Sequence, residues 1–224
     1  MRKLIAAMTM GLMMTTVTSF ASPTANFEKG ALDFEIGSTL NSKVNGKGKV
    51  AADVDGKSGF KAVLTAGLSD RFALQYKQGM FTSEDSTMTS GALSMTTYAK
   101  ANLRDLNLLY KVNPNLTFLV GYENNKISFG NFVTSASMSA LHVGLTGTHQ
   151  LTDKATLFAT IVDGKNVSLR EIGVSYNMSK STNFNMSYAD RRIKNMDLKV
   201  PIAGINGKED YKMTGISCLF AFKL

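Results

Sequence analysis

The sequence predicts an all-β protein, folded as a closed antiparallel up-and-down transmembrane β-barrel of about ten strands, with eight as the alternative count. Three observations predict this fold. Apolar residues recur at every second position, short turns of one form alternate with long polar segments, and charged residues keep to one face of each strand. Period-two alternation indicates strands with two unlike faces. Short turns opposite long loops are typical of transmembrane barrels.

The beginning of the chain has the form of a secretory signal peptide and is left out of the fold. Basic residues 2–3 precede an apolar stretch over residues 4–17 and a small-x-small cleavage site at residues 19–21. The stretch is shorter than the roughly 18 residues that a spanning helix needs. We therefore expect export, with a signal peptide over residues 1–21 and one barrel domain over residues 22–224.

Residues 106–123, LNLLYKVNPNLTFLVGYE, form the clearest predicted hairpin. The break falls at residues 113–115, because Pro114 lacks the amide hydrogen of a ladder and asparagine tolerates turn conformations. Leu109 is an apolar exception on the polar face of the first arm. Both apolar faces lie on the same side, with Leu106, Leu108, Tyr110 and Val112 on the first arm and Leu116, Phe118, Val120 and Tyr122 on the second.

Four short connections share one design. Each joins two residues of the apolar face through three residues, of which the first is Ser, Thr or Asn. Longer polar segments alternate with them, which predicts tight periplasmic turns and long extracellular loops. The connections are SDR at residues 69–71, NPN at 113–115, TDK at 152–154 and SKS at 179–181.

Three predicted strands precede the central hairpin, at residues 27–41, 59–69 and 71–81. The apolar face of the second runs from Phe60 to Leu68, the length that a tilted barrel strand needs to cross hydrocarbon. Their predicted outward residues are Leu32, Phe34, Ile36 and Leu40, then Phe60, Ala62, Leu64, Ala66 and Leu68, then Phe72, Leu74 and Tyr76.

Five more strands follow a predicted loop at residues 124–139. The seventh is apolar on both faces, and the register carried across the preceding turn places Phe158 and Val162 inside. Residues 191–210 are the longest polar interruption and are expected to be a loop. The total of ten is even, as in bacterial barrels whose last strand pairs with the first. Outward residues include Leu141, Val143, Leu145, Leu157, Ile161, Ile172, Val174, Tyr176, Phe184, Met186, Tyr188 and Cys218.

Charge separates a membrane barrel from a soluble one. No Lys, Arg, Asp or Glu occurs on the predicted lipid-facing stripes, where an Arg or Lys at mid-membrane costs roughly 2–4 kcal/mol. A soluble barrel such as a lipocalin has the inverse arrangement, with charges outside. The predicted lumen-lining residues are Asp33, Glu35, Lys61, Arg71, Lys77, Asp105, Lys111, Glu123, His142 and Glu171.

The mature chain is basic, because 23 basic and 17 acidic residues remain once Arg2 and Lys3 are removed, a formal charge of +6. The basic residues are scattered and form no nucleic-acid-binding module. We expect anionic lipid head groups, or no partner, to face them. Cys218 is the single cysteine, so no internal disulfide forms, and its apolar strand face favours a small hydrophobe over a reactive thiol.

The chain resembles the small outer-membrane β-barrel proteins of Gram-negative bacteria, the OmpA-like, opacity-protein and porin-like group. The most specific part is the end, YKMTGISCLFAFKL, which is similar to the C-terminal strand signal that the barrel-assembly machinery reads. That signal usually ends on an aromatic residue, whereas here Phe222 is followed by Lys223 and Leu224. The resemblance implies an outer-membrane location and assembly by that machinery and periplasmic chaperones. We also expect contact with outer-membrane lipid and lipopolysaccharide, and a monomer. The assembly-signal residues are Ile216, Phe220, Phe222 and Leu224.

Enzymes of this group, among them omptin-like proteases and lipid A acylases or deacylases, place a catalytic histidine near the outer rim. His142 with Glu123 on the preceding strand is the candidate pair, while His149 has lipid-facing parity. No matching motif surrounds either histidine, so we expect no enzyme. Residues 51–58, AADVDGKS, hold fragments of a calcium loop and of a phosphate loop without the remaining ligands or glycine. We expect no metal or cofactor.

The inward charges pose the functional question. Eight strands leave an interior just filled by side chains, whereas open channels come with about 16 to 18. Buried charges need partners, which favours a salt-bridged plug. We therefore expect a structural or surface-interaction barrel of the bacterial envelope, with a narrow porin-like diffusion channel as the alternative. An outer-membrane protease or lipid A-modifying enzyme is a further alternative.

Overall fold

A computed structural model of the chain describes residues 25–47, 53–57, 59–90, 93–129, 134–200 and 205–224. The predicted signal peptide and its cleavage site lie outside the described residues. Among the described residues, none belongs to a helix long and apolar enough to cross a membrane.

The described residues form thirteen strands. Ten of them close into one antiparallel barrel in chain order, which confirms the predicted fold. Strand β2 pairs with β1, and β5 pairs with β6 in a separate hairpin. The strands are β1 (Leu32–Lys47), β2 (Asp53–Asp55), β3 (Gly59–Ser69), β4 (Phe72–Thr82), β5 (Ser86–Ser90), β6 (Leu93–Thr97), β7 (Ala99–Asn113), β8 (Leu116–Phe129), β9 (Thr134–Gln150), β10 (Ala155–Gly164), β11 (Val167–Asn177), β12 (Thr182–Val200) and β13 (Ile205–Lys223).

Closure comes from the pairing of the first barrel strand with the last. β1 and β13 run antiparallel from the pair Asp33 and Lys223 to the pair Lys47 and Asp210. This pairing leaves the ten-stranded sheet without a free edge of unpaired backbone groups.

The four predicted turns join β3 to β4, β7 to β8, β9 to β10 and β11 to β12. In each, the side-chain oxygen of the first turn residue accepts a hydrogen bond from a backbone amide two or three residues later. This explains why Ser, Thr or Asn occupies that position. The bonds run from Phe72 N to Ser69 Oγ at 3.2 Å, Asn115 N to Asn113 Oδ1 at 2.9 Å, Ala155 N to Thr152 Oγ1 at 3.0 Å and Ser181 N to Ser179 Oγ at 3.2 Å.

The predicted loops at residues 124–139 and 191–210 were too long. β8 continues to Phe129, β9 begins at Thr134, and β12 and β13 are 19 residues each. Above the apolar belt the outward positions no longer meet hydrocarbon, so they carry polar residues such as Ser, Asn and Lys, while most of the inward positions are apolar. These strand sections therefore have the composition of a loop, which is why the predicted loops were too long.

Two of the long strands contain a β-bulge. One lies in β1 between Leu40 and Lys43. The other lies in β12 between Ile193 and Met196, where Asn195 has a φ of 55°, a left-handed conformation that asparagine tolerates. Each bulge adds a residue and reverses the parity of the faces beyond it.

The barrel narrows towards its loop end. The β10–β11 hairpin is short, and above it β12 pairs directly with β9, with Leu198 opposite Ala136. On the other side β3 begins only at Gly59, and β2 continues the wall through a bridge between Gly56 and Ser83 at the end of β4. Among the described residues, the upper wall therefore consists of eight strands in place of ten.

The exterior carries the predicted apolar belt. Large apolar side chains on alternate positions point out of the barrel and are exposed on nine of the ten strands, as a lipid environment requires, while on β10 the outward Leu157 and Ile161 are partly buried. Leu109, Phe158 and Val162, by contrast, are buried inside, as the carried-over register predicts for the last two. Exposed belt residues include Ile36, Leu64, Leu74, Leu108, Val120, Val143, Ile172, Met186 and Phe220.

Candidate functional site

The barrel lumen is the candidate site, and its side chains form two apolar clusters with a charged cluster between them. The order repeats along neighbouring strands. On β7 the inward residues are Leu103, Asp105, Asn107 and Leu109 from the loop end downwards, and all four are buried. The clusters are described from the turn end upwards.

The turn-side cluster includes a segment that precedes the barrel. Phe27 is 3% exposed and packs with Ala25, Ala73, Leu109 and Leu119. The Lys111 ammonium lies 5.6 Å from the centre of the Phe27 ring, within cation–π range. The chain before β1 therefore fills the turn end of the lumen.

Backbone hydrogen bonds hold that segment in place. Gly30 N donates to Gly67 O at 3.0 Å, and Gly67 N donates to Ala31 O at 2.8 Å. A Cβ at position 67 would lie 2.0 Å from Glu28 O, so only glycine allows this approach. Asn26 N also donates to Asp33 Oδ2 at 2.8 Å.

Arg191 organises one half of the charged cluster. Its Nη2 lies 2.6 Å from Asp105 Oδ2 and 3.5 Å from Glu123 Oε2. Asn125 Nδ2 donates to the other oxygen of Glu123. His142 Nε2 donates to Asn107 Oδ1 at 2.8 Å, and its Nδ1 lies 3.7 Å from Glu123. Two carboxylates thus share one guanidinium beside a histidine.

Glu171 organises the other half. Lys61 Nζ lies 3.4 Å from Glu171 Oε1, and Ser187 Oγ donates to the same oxygen at 2.7 Å. On the neighbouring wall Asn185 Nδ2 donates to Glu35 Oε2 at 3.0 Å. Burying a charge is tolerated when it is paired and hydrogen-bonded, and this arrangement meets that condition.

The loop-side cluster fills the narrow end of the barrel. Its members come from strands on all sides of the lumen, and Ile127, Ile193 and Met196 are at most 1% exposed. Eight strands enclose an interior that side chains just fill, which matches the narrowing of the wall at this level. The cluster consists of Val44, Ala101, Leu103, Ile127, Ala136, Met138, Ala140, Val167, Ile193, Met196, Tyr211 and Met213.

A cavity of about 90 Å³ lies in the lumen beneath the loop-side cluster. Lys61, Lys77, Asp105, Glu171 and Arg191 line it, with apolar walls at Leu103 and Met213 among others. Its volume is that of a few water molecules.

Nine of the ten predicted lumen residues are buried or partly buried. Asp33, Glu35, Asp105, Glu123 and His142 are buried, and Lys61, Lys77, Lys111 and Glu171 are partly buried. Arg71 instead lies in the turn between β3 and β4, is exposed, and donates to the hydroxyl of Tyr110 at 3.3 Å. Because β4 begins at Phe72, position 71 lies below the lumen.

Arg191 was missed because it was assigned to a loop. It has the inward parity of Asn185, Ser187 and Ala189, and the alternation of these residues with Phe184, Met186 and Tyr188 was the signal that β12 runs towards it. The predicted assembly-signal residues have outward parity on β13 or directly follow it. Phe220, Phe222 and Leu224 are exposed, and Ile216 is partly buried.

Comparison with known proteins identifies the fold. No protein-family model matches the chain, and no curated protein matches it. The chain is similar to the outer membrane protease OmpT from Escherichia coli, with 11% identity and a TM-score of 0.56 over 89% of this chain and 98% of that one. At this identity the likeness concerns the fold alone. It confirms the predicted resemblance to outer-membrane β-barrel proteins.

Two further solved structures are more distant in shape. The translocator domain of the autotransporter NalP from Neisseria meningitidis has 12% identity and a TM-score of 0.48, over 100% of this chain and 94% of that one. OprG from Pseudomonas aeruginosa has 14% identity and a TM-score of 0.45, over 89% of this chain and 98% of that one.

Proposed function

We propose that the protein is an exported outer-membrane barrel with a sealed lumen and a structural or surface-interaction role in the bacterial envelope. The observation that carries the proposal is the order of the side-chain clusters along the lumen. An ion-paired cluster lies between two apolar clusters, and the upper wall narrows to eight strands. In this placement the four short turns face the periplasm and the loops face outwards.

The two apolar clusters act as barriers for different reasons. Phe27 and its neighbours occupy the turn end with a segment that lies inside the barrel. Ile127, Ile193 and Met196 occupy the loop end. An apolar constriction excludes water and ions by dewetting, even where it is not fully closed. Charges confined between such barriers carry no ion current.

A narrow diffusion channel is the alternative, and the charged cavity favours it. Lys61, Lys77, Asp105, Glu171 and Arg191 line a space of about 90 Å³, which would be the middle section of a pore if both apolar clusters rearranged. For catalysis the geometry is less favourable. Glu123 is 1% exposed and His142 is 4% exposed, so a substrate has no access to them from the described surface.

Single-channel recording of the refolded mature protein in a planar bilayer tests the proposal. A heat-modifiable shift on a gel first establishes that the barrel has folded. We expect a folded barrel without discrete conductance steps. Reproducible steps would contradict the sealed lumen and establish the channel. Charge reversal at Lys61 or Lys77, which line the cavity, would then change the ion selectivity, whereas reversal at Arg71 in the turn would change it less.

A further inference from the structure

We propose that the outer wall of β7 and β8 binds the phosphate group of an anionic glycolipid in the outer leaflet, through a basic patch formed by Lys100, Arg104 and Lys126. The inference rests on the outer-membrane placement proposed above. It concerns the exterior of the barrel and is independent of whether the lumen conducts.

The three cations share one face of two paired strands. In the β7–β8 ladder Arg104 lies opposite Asn124, Asn102 opposite Lys126, and Lys100 opposite Ser128. Lys126 is therefore a diagonal neighbour of both other cations, at a Cβ separation of about 7–8 Å or slightly less. All three are exposed. Side chains of this length can converge on one anion.

The patch lies directly above the apolar belt. On β7 the next outward residue below Arg104 is Leu106, and on β8 the next below Asn124 is Tyr122, and both are exposed. Two residues along a strand span about 7 Å, so the patch begins one step above the hydrocarbon. This is the level of the head groups, where the phosphates of membrane lipids lie.

The surroundings of the patch are mostly polar and contain little negative charge. The outward neighbours on β4 are Gln78, Thr82 and the apolar Met80, which is 42% exposed. Those on β8 and β9 are Asn124, Ser137 and Ser139, with Asn124 Nδ2 donating to Ser139 Oγ at 2.8 Å. Glu84, at the upper edge beyond Lys100, is the nearest outward carboxylate by register. Hydroxyl and amide groups of this kind add hydrogen bonds to a bound phosphate.

Four cations on the opposite wall, by contrast, have carboxylate partners. Arg170 pairs with Asp163, Arg192 and Lys212 pair with Asp190, and Lys208 pairs with Asp197. Among the described residues, the three patch cations take part in no ion pair of this kind. An unpaired Arg offers a planar fork of donors that matches phosphate. The missing counter-charge on this wall is therefore assigned to the lipid.

Titration of the refolded protein in neutral detergent micelles tests the assignment, with bisphosphorylated lipid A as the probe and dephosphorylated lipid A as the reference. The variant R104Q/K126Q removes two patch charges from exposed positions and leaves the fold intact. R170Q/R192Q is the matched control, since it removes two outward positive charges from the opposite wall.

We expect R104Q/K126Q to bind bisphosphorylated lipid A about 30-fold more weakly, because each of the two removed cations near an anionic surface contributes roughly 1 kcal/mol. The control should bind within about twofold of the wild type, and all three proteins should bind the dephosphorylated lipid equally. Unchanged binding by R104Q/K126Q, or equal weakening in both variants, would overturn the site. Displacement of the lipid by inorganic phosphate at equal concentration would also overturn it.

Conductance measured on the same preparations separates the two proposals. A conducting wild type that keeps its preference for the phosphorylated lipid contradicts the sealed lumen alone. A silent barrel without that preference contradicts the lipid site alone.

Discussion

At the scale of single residues, Arg191 determines whether two of the carboxylates inside the barrel are tolerated. It contacts both Asp105 and Glu123, and the three side chains are 13%, 9% and 2% exposed. Removing one partner of a buried ion pair is far more damaging than replacing the whole pair, because an uncompensated charge remains. Removing the Arg191 guanidinium should therefore lower the stability strongly, by an amount that depends on the carboxylates left behind.

We expect Arg191→Met to lower the free energy of unfolding by about 3–5 kcal/mol, measured by urea unfolding of the refolded barrel in lipid with the heat-modifiable gel shift as readout. Arg192→Gln is the control. Arg192 is adjacent in sequence, but its side chain is 57% exposed, so its change should lie within about 0.5 kcal/mol. Adding Asp105→Asn to Arg191→Met should restore part of the loss. Equal effects of the two single variants would contradict the role of Arg191.

The sequence identified most of the charged cluster but not its centre. Asp105, Glu123 and Glu171 lie in strands flanked by large apolar residues, so their inward parity was evident. Arg191 lies where the outward residues of β12 have become polar, and the alternation there is between polar and polar. Which charges meet across the lumen depends on strand tilt and closure, and these are properties of the whole sheet that no single strand encodes.

At the scale of elements, each strand is divided by depth into a section that faces hydrocarbon and a section above it. The outward face of β8 contains both sections. Val120 lies in the apolar belt, and Asn124 lies in the section above it, beyond Tyr122. The cost of a charge on a lipid-facing position is greatest at the bilayer midplane and falls towards the interface. The two positions therefore form a matched pair on a single strand.

We expect Val120→Arg to lower the stability of the folded barrel by about 2–4 kcal/mol and Asn124→Arg by at most about 1 kcal/mol. Refolding yield and urea midpoint in vesicles of one lipid composition measure both. The Asn124 variant is the control for adding an arginine to β8. Equal destabilisation would show that the belt ends below Val120 or extends above Asn124.

The strands themselves were predictable where the belt imposes alternation, and their ends were not. The four turns were found because a side-chain acceptor at the first turn position, such as Asn113, leaves a local signature. The bulge at Asn195 and the pairing of Leu198 with Ala136 left none. Both depend on where the β10–β11 hairpin stops, and this decides which strands become neighbours above it.

At the scale of the whole molecule, the barrel combines a ten-stranded wall with an eight-stranded upper end. The wider section holds the charged cluster and its small cavity, and the narrower section holds the loop-side cluster. The turn end is filled by Phe27, which lies in the segment that precedes β1. The two barriers are therefore built from different parts of the chain and lie in series along the barrel axis.

Barriers in series predict a specific pattern of conductance. Phe27→Ala weakens the turn-side barrier, and Ile127→Ala with Met196→Ala weakens the loop-side barrier. Since ions must pass both, each set alone should leave a folded barrel silent in planar bilayers, and only the combined variant should show discrete steps. Each truncation costs about 2–5 kcal/mol, so the heat-modifiable gel shift must accompany every recording. Conductance from one set alone would show that the other cluster is no barrier. A folded combined variant that stays silent would make the ion-paired cluster around Arg191 the barrier instead.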